Sequence, residues 1–388
     1  MIPLFKVAMS ECADGVVADV LASGYIGEGE KVKEFTELCA EFLDNPYVVP
    51  VSSGTAAIEI ALRLAGVGSG DKVISTPMTC LATNMPILDL GAEIIWADVE
   101  KHTGLIDRHS VESILTWEPD IKAIVGVDWG GAPFEMEITN VPLIEDAAHA
   151  WGSQICGVQV GHYGRFTCFS FQAIKHLTTG DGGLLALSFK DDYEKAKLMK
   201  WFGLDREKTA SMRCDQDPPL VGLKRQMNDI AAAIGIANFE LAKLNIELAQ
   251  QNAREYDNAF LGLPFVKPVQ SPYGISSRWL YPVLVDSRDA FEAFLKDHEI
   301  ECSQVHSRND KKTLFKNFER HLPGVDYFSS HQTNIPVGWW LSREERRHII
   351  ETVRSYNNGY TSRSNQQEQG IRESDLDSAA TSRRIQRQ

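Results

Sequence analysis

Short apolar runs alternating with helix-patterned stretches constrain this chain more than any other feature. The runs are YVVPV at 47–51, KVI at 72–74, EIIW at 93–96, KAIVGV at 122–127 and PLIED at 142–146. Between them, TAAIEIALRLAG at 55–66 and TCLATNMPILDLG at 79–91 have helical spacing and end on glycine, a common helix stop. Strand followed by helix, repeated several times, predicts an α/β fold with a parallel sheet covered by helices.

At 388 residues the chain has room for two domains. From Asp229 to about Leu261, alanine, leucine and charged residues continue with only Gly235 interrupting, which predicts a long helix linking them. A large α/β domain then covers 1–228, the linking helix 229–261, and a smaller α+β domain 262–358. The smaller domain contains the strand pattern WLYPVLV at 279–285, the helix pattern RDAFEAFLKDHEI at 288–300 and a last helix from Ser342 to Tyr356. The stretch 359–388 has few apolar residues and cannot bury enough surface to offset ordering, so it is expected to be a disordered tail. No internal repeat is present.

Charge and cysteine usage exclude several classes. A net charge of -14, without clustered lysine and arginine, argues against a nucleic-acid surface. Seven cysteines without CxxC pairs or regular spacing predict reduced thiols, not a disulfide framework or a metal site. No apolar run approaches the ~20 residues of a membrane span, and the amino terminus lacks the pattern of a signal peptide. A cytoplasmic enzyme or binding protein is expected.

Lys175 lies in FSFQAIKHLTTGDGG at 169–183, with Phe166, Phe169 and Phe171 before it and Gly180, Gly182 and Gly183 after it. A lysine in a desolvated pocket loses its proton near neutral pH and condenses with an aldehyde. A solvated surface lysine is the alternative.

In an open α/β sheet, ligands collect beyond the carboxyl ends of the strands, and three polar groups follow strand patterns here. SSGT at 52–55 includes Ser53, Gly54 and Thr55, and would offer free amides to a phosphate or form an ordinary turn and N-cap. Asp146 in EDAAHA at 145–150 would face a ligand or cap a turn, while His149 would bond that ligand or simply pack. Ser170 would donate to the same phosphate or stay an ordinary strand serine. The three glycines suit a close backbone approach to a ligand and a plain turn equally.

Together these motifs resemble the DegT/DnrJ/EryC1/StrS group of sugar aminotransferases over most of residues 2–356. SGYIGEGEKVKEFTELCAEFL at 23–43, SSGTAAIEIAL, EDAAHAWGS, FSFQAIKHLTTGDGG and LKRQMNDIAAAIGIANFEL at 223–241 occur in the family's order. The resemblance implies a fold-type-I pyridoxal 5'-phosphate enzyme, with pyridoxamine 5'-phosphate as an intermediate form, and a homodimer with shared active sites. It further implies that Lys175 holds the cofactor covalently, that Asp146 meets the pyridine nitrogen, and that His149 lies near the ring. Ser53, Gly54, Thr55 and Ser170 would hold the phosphate, and Lys224 and Asn228 would reach the neighbouring subunit's cofactor.

Three positions depart from the family pattern. Cys80 stands where many members place an aromatic ring, Lys224 where asparagine is common, and Asp128 where histidine is familiar. Lysine at 175, in place of the histidine of dehydratase relatives, implies transamination.

The expected reaction moves the amino group of L-glutamate to a nucleotide-linked 4-keto-6-deoxyhexose, giving a 4-amino-4,6-dideoxy sugar for surface glycans such as O-antigen or for related glycosides. The TTGDGG run resembles members acting at carbon 4. Amination at carbon 3 or of another keto sugar is the alternative, and a pyridoxal phosphate-binding regulatory protein is the non-enzyme one. For the substrate, Tyr25, Arg278, His306 and Arg308 are the candidates, with Lys311 beside them; solvated loop charges are the competing reading of the cations.

Overall fold

The structure, a computed structural model, describes residues 1–136, 140–208 and 215–356. The tail expected over 359–388 lies outside the described residues. In chain order the strands are β1 (Val48–Val51), β2 (Lys72–Ser75), β3 (Glu93–Trp96), β4 (Ile121–Val127), β5 (Leu143–Asp146), β6 (Gln154–Ile155), β7 (Val158–Gln159), β8 (Phe166–Ser170) and β9 (Gly183–Leu187). β10 (Val266–Pro268), β11 (Tyr281–Val285) and β12 (Gln332–Ile335) follow.

Seven strands form the main sheet in the order β1-β9-β8-β5-β4-β2-β3. β8, β5, β4, β2 and β3 pair in parallel, and β9 runs antiparallel to both neighbours, β1 and β8. The sheet is thus mostly parallel, as the alternating pattern predicts, with one reversed strand that the pattern does not reveal. All five residues of β9 and all four of β1 are buried, the signature of strands covered on both faces.

The first helices are α1 (Ala13–Ser23), α2 (Glu30–Leu43), α3 (Gly54–Leu64), α4 (Leu81–Asp89), α5 (Arg108–Trp117) and α6 (Lys190–Met199). α3 starts where β1 ends: Ser53 caps it, its side chain accepting from Ala56 N at 3.1 Å. Alanines 56, 57 and 61 keep α3 thin enough to lie across β8 and β9, which points its amino terminus at the sheet's carboxyl edge.

α7 (Asp229–Phe260) continues through Gly235 as one 32-residue helix. That glycine is a packing device, since a Cβ there would stand 2.5 Å from the Phe35 ring and 2.8 Å from Thr179 Cγ2. β10, β11 and β12 form a separate antiparallel sheet, accompanied by α8 (Arg288–Asp297), α9 (Pro323–His331) and α10 (Arg343–Ser355). Its core, with Tyr256, Tyr281, Phe291 and Tyr356, is distinct from the two clusters around the main sheet. No helix among the described residues is long and apolar enough to cross a membrane.

Candidate active site

Parallel strands end on one edge, so residues that follow β1, β5 and β8 meet there although they are far apart in sequence. Ser53, Gly54, Thr55, Asp146, His149, Ser170 and Lys175 all line one cavity of about 480 Å³. Cys80, at the start of α4, lines it too, and His306 enters from the loop before α9.

The phosphate-type wall is built from backbone. Ser53 Oγ satisfies Ala56 N, while helix geometry leaves the N–H groups of Gly54 and Thr55 without intrahelical acceptors. Gly54 must be glycine for the turn to close, because its Cβ would stand 2.9 Å from Ser170 Cβ. Gly180 adopts φ +82°, so a turn requires it, whereas Gly183 is needed for close approach to the Ser53–Gly54 backbone.

Opposite charges face the cavity without meeting. Burial raises the Asp146 carboxyl, opposed by bonds from Thr83 Oγ1 at 2.6 Å and Ala148 N at 3.1 Å and by the Lys175 charge. Lys175 is open to the cavity yet enclosed by protein, and burial brings its amine down to about 7, with Asp146 and Cys80 opposing the shift. An amine that gives up its proton near neutral pH can serve as a nucleophile and a proton acceptor.

The histidines are held neutral. Gly130 N donates to His149 Nδ1 at 3.3 Å, so the proton of the neutral ring sits on Nε2, which lies 3.4 Å from His306 Nε2. Burial, the Lys175 charge and His306 push His149 well below its usual value. His306 is brought to about 4, first by burial and then by Lys175.

Several expected residues lie outside this cavity. Lys224 and Asn228 are exposed; the Lys224 ammonium lies 5.8 Å from the Trp201 ring, and Asn228 caps α7 by accepting from Ala231 N at 2.9 Å. Tyr25 is exposed, its hydroxyl donating to Glu28 O at 3.2 Å. Arg278 pairs with Asp257 at 3.5 Å, Arg308 is bound to Asp310 and Asp326, and Lys311 pairs with Glu319. Asp128 is fully buried, accepts from Phe134 N and does not line the cavity; burial and then Glu145 raise its carboxyl well above the usual range.

Sequence reasoning passed over Thr83, Phe5 and Trp279, which line the same cavity. Thr83 sits in the first turn of α4, where its hydroxyl meets that of Thr79 at 2.7 Å. Trp279 adjoins Arg278, whose left-handed φ of +57° carries two consecutive side chains to different places. Cys80 brings no ring to the cavity, whose lining instead includes the stacked rings of His149 and Trp279, 4.0 Å apart.

An amine that titrates near neutral pH, a buried carboxylate, unpaired helix N–H groups and aromatic rings in one cavity form a donor set that fits pyridoxal 5'-phosphate. Comparison with known proteins agrees. The sequence profile of the DegT/DnrJ/EryC1/StrS aminotransferase family matches residues 8–354. AtS13 from Actinomadura melliaura is 40% identical over 92% of this chain and 99% of its own, with a TM-score of 0.87. The sugar aminotransferase CalS13 from Micromonospora echinospora is 35% identical over 92% and 100%, also at 0.87. Spr1654 from Streptococcus pneumoniae, solved in PLP and PMP forms, is 26% identical in the PLP form over 90% and 97%, at 0.82. The chain therefore belongs to the DegT/DnrJ/EryC1/StrS aminotransferase family and is a pyridoxal phosphate-dependent aminotransferase.

Proposed function

We propose that this enzyme transfers the amino group of L-glutamate to carbon 4 of a nucleotide-linked 4-keto-6-deoxyhexose. The observation that carries the reading is the single cavity shared by Lys175, Asp146 and the opening turn of α3, within a family of sugar aminotransferases. Bound there, the cofactor supplies a carbonyl carbon that takes up and returns the amino group, and a ring that draws electrons from the carbon losing its proton. Lys175 would hold that carbon, Asp146 the ring nitrogen, and Ser53, Gly54, Thr55 and Ser170 the phosphate. His149 would lie against the ring.

Once released, Lys175 Nζ takes the proton from the α-carbon of glutamate, and in the second half delivers a proton to carbon 4 of the sugar. Neutral His149 and His306 can donate or accept hydrogen bonds without adding charge to the cavity. Carbon 4 is favoured by the TTGDGG run at 178–183, whose glycines the turn and the close backbone contact require. With Arg278, Arg308 and Lys311 engaged by carboxylates, their part in binding the sugar nucleotide would require exchange of those pairs.

A homodimer belongs to the same proposal. Tyr25, Ile26, Leu81, Met85, Phe202 and Val221 are exposed large apolar groups, and Leu81 and Met85 sit on α4 directly after the cavity residue Cys80. A second copy would cover them and take up the exposed Lys224 and Asn228. The test is incubation with L-glutamate and a panel of nucleotide-linked 4-keto-6-deoxyhexoses, with the product's amine position read by NMR. Amine at carbon 4 supports the proposal; amine at carbon 3, or none on any keto sugar, contradicts it.

A further inference from the structure

Lys175 has an unusual neighbour for a buried cation. Its Nζ lies 3.6 Å from the centroid of the Trp279 ring, inside the ~6 Å range over which an indole face attracts an ammonium. Asp146 faces the same cavity but acts on Lys175 through its charge alone, with no hydrogen bond between them.

The indole is fixed from several sides. Its Nε1 donates to Ile174 O at 2.9 Å, tying the ring to the residue before the lysine. One contact stacks it on His149 at 4.0 Å and 18°, another on Phe5 at 5.2 Å and 30°. Its flanking residues are anchored as well, Ser277 N to Ser153 Oγ at 2.9 Å and Leu280 N to Gly130 O at 3.1 Å.

We propose that Trp279 is a positioning residue for Lys175, its indole face holding the protonated amine apart from Asp146. An ion pair between Lys175 and Asp146 would occupy both groups that the cofactor needs, and would cost the amine its nucleophilicity. The consequence for catalysis rests on Lys175 being the cofactor's lysine; the contact itself does not.

Other titratable groups surround Lys175: the charges of Asp146 at the end of β5 and Cys80 at the start of α4 act on it, and its own charge lowers His149 after β5, His176 beside it and His306 from the loop before α9. The test must therefore change the indole face without disturbing them. In full-length protein freed of cofactor, Trp279 is replaced site-specifically by progressively fluorinated tryptophans, which withdraw electron density from the ring while nearly keeping its shape. Competitive acylation of Lys175 across pH, quantified by mass spectrometry with Lys72 as the internal control, gives the amine's titration midpoint.

The Lys175 midpoint is expected to fall stepwise along the series, by about half a pH unit in all, while Lys72 stays fixed. A Lys175 midpoint that does not move in folded protein overturns the proposal. Should Lys175 prove not to hold the cofactor, borohydride trapping would label another lysine, a result independent of the fluorination series.

Discussion

Gly183 and Ser53 touch backbone to backbone: a Cβ on Gly183 would stand 2.5 Å from the carbonyl carbon of Ser53 and 2.6 Å from Gly54 N. The reversed strand β9 is thereby pressed against the turn that opens α3, and this contact sets where the Gly54 and Thr55 amides face the cavity. Gly183→Ala should displace the turn and weaken pyridoxal phosphate binding about 10-fold, from an overpacking cost of about 1–3 kcal/mol partly relieved by movement. Titration of cofactor-free protein with pyridoxal phosphate measures it, and unchanged affinity would show that the turn does not hold the phosphate.

Capture of the cofactor should follow the protonation of Lys175. With the amine brought to about 7, mainly by burial, its neutral fraction falls about tenfold per pH unit below that value and is nearly complete above it. Stopped-flow mixing with pyridoxal phosphate should therefore show a rate that rises with pH up to about 7 and then levels. A rise continuing to the ordinary lysine value of 10.5 would mean the amine is not desolvated.

The same desolvation should cost stability before the cofactor binds. The unfolded lysine holds its proton up to 10.5 and the folded one only to about 7, so the folded state binds fewer protons between these values and stability rises with pH across that window. The penalty is full below pH 7 and gone above 10.5. Lys175→Met should stabilise cofactor-free protein by about 2–4 kcal/mol at pH 7, with the gain shrinking as pH rises, taking about 1.4 kcal/mol per unit and discounting for the open cavity. Urea unfolding at several pH values is the measurement, and a variant no more stable than the parent at pH 7 would contradict it.

Asp146→Asn keeps the size of the side chain and an acceptor for Thr83, but removes the charge. If Asp146 supports the cofactor's ring nitrogen, turnover should fall about 100-fold with cofactor still bound. Steady-state rates at saturating cofactor decide this, and near-normal turnover would assign Asp146 a merely structural part.

Much of the fold is legible because its strands are buried on both faces and read as unbroken apolar runs. EIIW coincides with β3, and YVVPV differs from β1 by one residue. The reversal of β9 was not legible, since GLLAL announces a strand but not its direction; that depends on how the turn after Lys175 folds back against β8. At the site, groups directly after strands were readable from chain position, whereas Trp279 and Phe5 arrive only through tertiary folding. A sequence shows that Arg278 and Arg308 are cations, but not that Asp257, Asp310 and Asp326 already neutralise them.

The most direct test is the absorption spectrum of the cofactor-loaded protein before and after L-glutamate, recorded beside Lys175→Ala. The parent should show a cofactor band that glutamate bleaches, and the variant should lack that response. A band indifferent to glutamate in the parent, or one that bleaches equally well without Lys175, would contradict the assignment of Lys175 as the amine at the centre of the reaction.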